Sequence, residues 1–197
     1  MSMIIRSASL DDVSDIVPFV KMASGGLSDF LLANLIPNMS VDDVVEMALT
    51  DENTNYYFQN FLVAECENQI IGATHYYPAE KHSLTDLMQS FIAKEKLDII
   101  ARYLDTWIPN SMYVNTMAVA ESYRTSLCGL LMGKKVEQFA RQQQKQCLSA
   151  HVWRENKLVY EGLIIAGFQE VEEFIIEPQP ELIYHGPMVL LKGPDFA

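Results

Sequence analysis

Apolar positions recur along this chain in two rhythms, one near every third or fourth residue and one of short β-rich runs. A first apolar pair, Ile4-Ile5, is followed by Ser9-Leu10-Asp11-Asp12, which has the spacing of a helix capping box. Val13, Ile16, Val17 and Val20 then predict a helix, with Pro18 expected to kink it and Gly25-Gly26 to break it. Further helices are predicted over residues 28–35 and 40–49. Residues 56–65 and 70–77 are β-branched and aromatic, and Glu67-Asn68-Gln69 between them reads as a hairpin turn. Helical spacing returns over residues 82–108, in an amphipathic stripe that reads as core-facing.

Four more elements complete the pattern before the tail. Residues 112–119 predict a strand, 128–144 a helix, 147–153 a strand, and 157–166 a helix closed by Gly167. Extended runs at 168–176 and 188–192 finish the chain. This order predicts an α/β (α+β) fold with one central mixed sheet. At 197 residues the chain fits a single domain.

Charge and cysteine content narrow the function classes. With 14 basic and 26 acidic side chains the net charge is −12, which argues against nucleic acid and against an anionic membrane surface as partners. Three cysteines with no C-x-x-C pair suggest neither a disulfide framework nor a metal site, so a cytoplasmic setting is expected. No signal-like or membrane-spanning apolar run is present in the sequence.

The chemistry is expected where a strand runs into a helix, over Met117-Ala118-Val119-Ala120-Glu121-Ser122-Tyr123-Arg124-Thr125-Ser126-Leu127-Cys128-Gly129-Leu130-Leu131. A helix N-terminus carries unpaired N–H groups and a partial positive charge, so it can seat a phosphate. Thr125, Ser126 and Gly129 would let a pyrophosphate approach the backbone, and Arg124 could add a charge-assisted contact. The same stretch also reads as an ordinary strand–helix connection.

These residues resemble the GNAT superfamily of acyl-CoA-dependent N-acetyltransferases. Its fourth strand and following loop usually read Leu-Ala-Val-x-Pro-x-Tyr-Arg-Gly-x-Gly-Ile-Gly, with a core R/Q-x-x-G-x-G/A. Met117-Ala118-Val119, Tyr123-Arg124 and Gly129 match; Glu121 replaces the proline and Leu127 the first core glycine. A second family pattern, Asn-x-x-Ala-x-x-x-Tyr-x-x-x-Gly-Phe, is matched by Asn156, Gly167 and Phe168, with Val159 and Leu163 at the Ala and Tyr positions. The stretches Met22–Leu27, His151-Val152-Trp153 and His185-Gly186-Pro187-Met188 also look like a subgroup of that family.

The resemblance implies a mostly antiparallel sheet flanked by helices, with residues 79–111 as a helical insertion between the third and fourth strands. It implies acetyl-CoA as acyl donor and a small-molecule amine or peptide as acceptor, with a homodimer as one assembly left open. Backbone groups of Met117, Ala118 and Val119 would pair with the pantetheine arm. The amides from Arg124 through Thr125, Ser126, Leu127, Cys128 and Gly129 to Leu130 would hold the pyrophosphate, Leu127 crowding it. Asn156 would bond the cofactor, cap the next helix, or do both. Lys134 or Lys135 would reach the adenosine phosphate or lie on a solvated face with Arg141.

For catalysis the match thins. Asn115 stands where relatives carry a carboxylate; it cannot be a base but could hold a water. Tyr160, one turn from Leu163, is a candidate proton donor or a plain packing residue. His75 is the best alternative base or a structural strand histidine. Glu65 and Glu80 are less well placed, and Cys128 reads as packing. The expected activity is direct acetyl transfer in a ternary complex; the competing expectation is a non-catalytic acyl-CoA-binding module. Part of the excess acid is expected to face a cationic amine.

Overall fold

The computed structural model describes residues 3–124 and 127–196. Seven strands form one sheet: β1 (Met3–Ser7), β2 (Phe61–Cys66), β3 (Gln69–Pro78), β4 (Ser111–Val119), β5 (Cys147–Trp153), β6 (Gln169–Phe174) and β7 (Met188–Lys192). Their order is β1-β2-β3-β4-β5-β7-β6, antiparallel at every junction except β4–β5, which is parallel. This is the mixed, mostly antiparallel sheet expected from the sequence.

Helices cover both faces. On one side α1 (Val13–Ser24), α2 (Leu27–Leu32) and α3 (Val41–Thr50) pack with the inserted α4 (Asp86–Phe91) and α5 (Lys94–Asp105). Ile16 and Val20 of α1 and Leu49 of α3 meet Phe61, Val63, Ala73 and Ala118 of the sheet, while Ile100 of α5 joins Phe30, Trp153 and Met188. On the other side lie α6 (Cys128–Gln142) and α7 (Lys157–Ile165). Met132, Val136 and Ala140 of α6 are fully buried against strand residues that include Leu62, Ala64 and Met112.

Two predicted elements differ from the structure. The strand predicted over 56–65 starts only at Phe61, because residues 58–60 form a single 3-10 turn that carries Tyr56 back over the sheet. The helical run 82–108 is two helices, parted at Ile92-Ala93, whose backbone is extended. Helix α1 contains Pro18 and ends at Gly25, whose backbone is left-handed, as expected. Glycine is required at Gly26: its φ is +94° and a Cβ there would lie 2.0 Å from the Glu181 carbonyl oxygen. That close approach ties the α1–α2 turn to the 175–187 segment, where the Ile183 amide also donates to the Gly25 carbonyl at 2.9 Å.

Two features of β4 shape the centre of the molecule. It pairs with β5 only at Ser111, Met112 and Tyr113, so the strands part beyond Tyr113. Ser111 and Ser149 share a buried 2.6 Å hydroxyl hydrogen bond at that ladder. Against β3 the register slips between His75 and Tyr76: His75 lies opposite Thr116, but Tyr76 lies opposite Val114. Asn115 is the extra residue of this bulge, a device that re-aims a side chain and is common beside active sites.

The corner between β1 and α1 is fixed by charge. Arg6 donates to both oxygens of the buried Asp12 carboxylate at 2.7 and 2.8 Å, and the Ser9 amide adds a third bond at 2.7 Å. The Arg6 guanidinium holds the Asp12 carboxyl well below the usual carboxylate range. A carboxyl whose pKa is depressed on folding stabilises above its unfolded value and loses that contribution as pH falls. Asp12→Asn is therefore expected to cost about 1–3 kcal/mol at pH 7. The gap to wild type should narrow below about pH 4, which urea denaturation at both pH values measures.

Candidate active site

Where β4 leaves β5, residues 114–119 face no strand on the β5 side, and backbone amides and carbonyls along such an edge need another partner. The open edge runs about 13 Å from Asn115 to Val119. It ends at the loop that enters α6, so an extended ligand along it would have one end at Asn115 and the other at a helix N-terminus. The residue at its N-cap, Leu127, makes no side-chain capping bond and has φ −76° and ψ 8°, and a Cβ built on Gly129 meets nothing among the described residues within 4 Å. The Leu127 side chain is 65% exposed.

A pyrophosphate fits this seat: the first-turn amides of α6 and the space over Gly129 are the features such an anion uses. Thr125 and Ser126, expected in the same loop, lie outside the described residues. Exposed Arg124 donates through Nε to the Val119 carbonyl at 3.3 Å and through Nη2 to the Met22 sulfur at 3.4 Å, bridging the end of β4 to α1. Leu130 is exposed, whereas Cys128 is fully buried and burial pushes its thiol up to about 11, in keeping with packing. Met117 and Val119 pack toward α6 with Met132, and Ala118 toward α1. Asn156 precedes α7 and is half-buried, but its side chain does not cap that helix. Of its two expected roles, the capping one is absent.

At the other end of the open edge lies a polar cluster. Asn115 Nδ2 donates to the Tyr56 hydroxyl at 2.8 Å and to His75 Nδ1 at 3.1 Å, while its Oδ1 accepts from the Tyr103 hydroxyl at 2.9 Å. The Tyr113 hydroxyl lies 3.3 Å from that of Tyr103 and 2.9 Å from His151 Nδ1. Tyr77 meets His82 Nδ1 at 3.0 Å. The elements explain the gathering: His75 and Tyr77 share one face of β3, the bulge turns Asn115 to that face, and α5 brings Tyr103 from above.

The partners settle every tautomer. His75 Nε2 faces the Asn55 carbonyl at 2.7 Å and His82 Nε2 the Tyr103 carbonyl at 2.8 Å, so both carry the proton there. His151 Nε2 faces Thr106 Oγ1, whose own hydrogen is committed to the Arg102 carbonyl, so it too is the donor. All three rings accept at Nδ1. Burial holds them neutral: His75 falls to about 3 and His82 to about 4, and His151 lies well below its ordinary value with the His82 ring adding to the effect.

Several expected catalytic groups are therefore already engaged. His75 has both ring nitrogens bonded and no exposed surface, so as it stands it has no lone pair to offer an incoming amine. The Tyr160 hydroxyl donates to Glu170 and accepts from Arg154 at 2.8 Å. Leu163 packs with Ala150, Val152 and Val189. Glu65 accepts from Arg6, and Glu80 from Lys145. The hydrogen bonds described for the cluster include no carboxylate. Sequence reasoning missed Tyr56, Tyr103, Tyr113 and His82 entirely; the only local signal was the shared period-two face of His75 and Tyr77 on β3.

The three neutral histidines make stability depend on pH in a defined direction. Each has a folded pKa below its unfolded one, so the unfolded chain binds more protons and stability is lost as pH falls from about 6.5 toward 4. The slope is expected to reach about 1.4 kcal/mol per pH unit for each histidine, and His82→Gln should flatten it by about a third. Denaturant titrations at half-unit pH steps read this directly.

Similar folds occur among solved structures, although no protein-family model and no curated protein sequence matches this chain. A crystal structure described as an acetyltransferase is 21% identical, with 98% of this chain and 100% of that one covered and a TM-score of 0.69. The ribosomal-protein-alanine N-acetyltransferase of Brucella melitensis is 17% identical over 97% of this chain and 99% of that one, at a TM-score of 0.62. The polyamine N-acetyltransferase of Drosophila melanogaster, which forms N-acetylagmatine, is 14% identical over 99% and 100%, at 0.57. Together with the parted β4–β5 pair and the seat at α6, these likenesses establish that the chain has the GNAT fold, that of the GCN5-related N-acetyltransferases.

Proposed function

We propose that this protein is a GNAT-type N-acetyltransferase that carries an acetyl group from acetyl-CoA to a primary amine of a small molecule or peptide. One observation carries the reading: a single open strand edge that connects an anion seat at α6 with a polar cluster at Asn115. The acetyltransferase names of the similar structures support it, and their named acceptors, a protein alanine and a polyamine, are both amines.

When bound, acetyl-CoA supplies an activated acyl thioester. The chain's own residues do the rest. First-turn amides of α6 and Asn156 hold the phosphate end, and the free edge of Met117–Val119 orients the arm. Holding both reactants at the Asn115 end would provide most of the rate, with backbone N–H groups polarising the carbonyl. His75 acts by fixing Asn115 rather than as the base, and the amine is taken to arrive neutral, its ammonium proton lost to water. The protein is proposed to work in the cytoplasm; no helix among the described residues is long and apolar enough to cross a membrane.

A second reading is an acyl-CoA-binding module without catalysis. It is favoured by the absence, within the described cluster, of any carboxylate or unengaged imidazole near Asn115. Both readings expect acetyl-CoA to bind; only the first expects free thiol to appear when amines are added. A thiol-release assay across polyamines, amino acids, aminoglycosides and peptide N-termini separates them.

Two substitutions test the seat itself. Gly129→Val fills the open space and is expected to weaken acetyl-CoA binding at least tenfold by calorimetry, with a Tm within about 4 °C of wild type because none of the described residues is displaced. Leu127→Gly is expected to change affinity less than about threefold, since its backbone is ordinary and its side chain faces outward.

A further inference from the structure

Helix α7 is held to the sheet by few side chains. None of its nine residues is buried, whereas α1, α3, α5 and α6 each bury three or more. Tyr160 and Leu163 make its packing with the sheet, against Ala150, Val152, Val189 and Leu191. At 3.6 residues per turn, Leu158 and Ile165 lie within about 20° of each other and about 150° from both of those residues. They therefore face away from the sheet. At 70% and 88% exposed they are the two most exposed large apolar side chains among the described residues. Between them lies Gly162, where an added Cβ would meet nothing among the described residues within 4 Å. A single exposed leucine is ordinary, but two on one stripe around a glycine make a helix-packing face without a helix on it.

We propose that this face docks a second copy of the same chain, α7 lying antiparallel on α7 across a two-fold axis between Glu161 and Gly162. A two-fold contact needs a surface complementary to itself. Antiparallel pairing about that point sets Leu158 of each copy against Ile165 of the other, and the bare Gly162 lets the two backbones come close. The charges fit as well. Lys157 and Glu161 are the charged residues of α7, and neither takes part in a described hydrogen bond or ion pair. Along one rim of the pair the order is Lys157, Glu161, Glu161, Lys157, two from each copy, so that rim sums to zero. Each Lys157 also lies at the C-terminal end of the other helix, where the Ile165 and Ala166 carbonyls accept none of the described hydrogen bonds. In a chain of net charge −12, whose copies repel at long range, such a balanced apolar face is where two copies can meet.

The contact is small: two large side chains and a glycine from each copy, well under the roughly 800 Å² per partner of a standard interface. A weak, reversible dimer follows, with a Kd on the order of 50 µM. Salt screens the net repulsion and leaves the apolar contact in place, so pairing tightens as salt rises, the opposite of a contact held by charge. The inference is independent of the acetyltransferase reading and stands or falls without it.

Sedimentation velocity on the whole chain, from about 1 µM to about 500 µM, tests it. Wild type is expected to pass from monomer to dimer, with a midpoint that falls at least threefold between about 0.05 M and about 0.5 M sodium chloride. Ile165→Lys makes the net charge less negative yet should stay monomeric throughout, because it buries a charge against Leu158 of the other copy. Gly162→Leu displaces none of the described residues within one copy, so its Tm should not fall, while the dimer weakens at least tenfold. A further variant reads the register. With Leu158→Cys and Ile165→Cys combined, mild oxidation should yield a covalent dimer, since within one copy the two positions are about 10 Å apart and cannot form a disulfide. The native Cys66, Cys128 and Cys147 are buried and do not compete. A wild type still monomeric at about 500 µM, a dimer that survives Ile165→Lys or Gly162→Leu unweakened, or a double-cysteine variant that forms no cross-linked dimer overturns the assignment.

Discussion

The structure depends on how short the ladder between its two parallel strands is. Three residues of β4 meet three of β5, pinned by the Ser111–Ser149 hydrogen bond, and then the strands diverge. Backbone amides and carbonyls cannot stay unpartnered in a protein interior, so an open edge inside a sheet is tenable only where water or a ligand reaches it. The proposed ligand axis follows from this. The edge runs from the end of the ladder to the point where β4 turns into α6, so that one strand connects the proposed anion seat with a polar cluster. The bulge at Asn115 sits where the ladder ends, and turns that side chain toward β3.

The polar cluster is the costliest part of the interior, and its hydrogen bonds explain why it is tolerated. Two buried imidazoles, His75 and His82, and the half-buried His151 would each destabilise the fold if a ring nitrogen were left without a partner. Each instead places Nε2–H on an oxygen and receives a donor at Nδ1, so all are neutral in one tautomer. A network this complete holds Asn115 from three sides. It also makes the insertion between β3 and β4 part of the site: His82 lies in it and Tyr103 comes from α5. Substitution in that insertion is thus expected to reach the centre through Tyr103 and Asn115.

Parts of the site were legible in the sequence and parts were not, for reasons seen at single residues. The strand–loop–helix stretch was legible because it is contiguous, and the torsions of Leu127 are ones that any residue adopts. Asn115 was legible by its distance from Met117. The commitments of His75 and Tyr160 were not, because they lie with Asn55, Asn115, Arg154 and Glu170, brought in from elsewhere. Tyr56 was read as part of a strand; only its loop and the 3-10 turn after it, folded back over β3, place its hydroxyl on Asn115.

By itself the sequence determined the element order, the mixed sheet and the helical insertion, because apolar periodicity and turn residues are local properties of the chain. The point where β4 parts from β5, the bulge that aims Asn115, and the tautomers of three histidines were decided by tertiary structure. Each depends on which distant groups arrive within hydrogen-bond reach, and no local pattern encodes that. The charge of the site belongs with them: a chain of net charge −12 has an uncharged cluster at its centre, because burial there allows only neutral rings and hydroxyls.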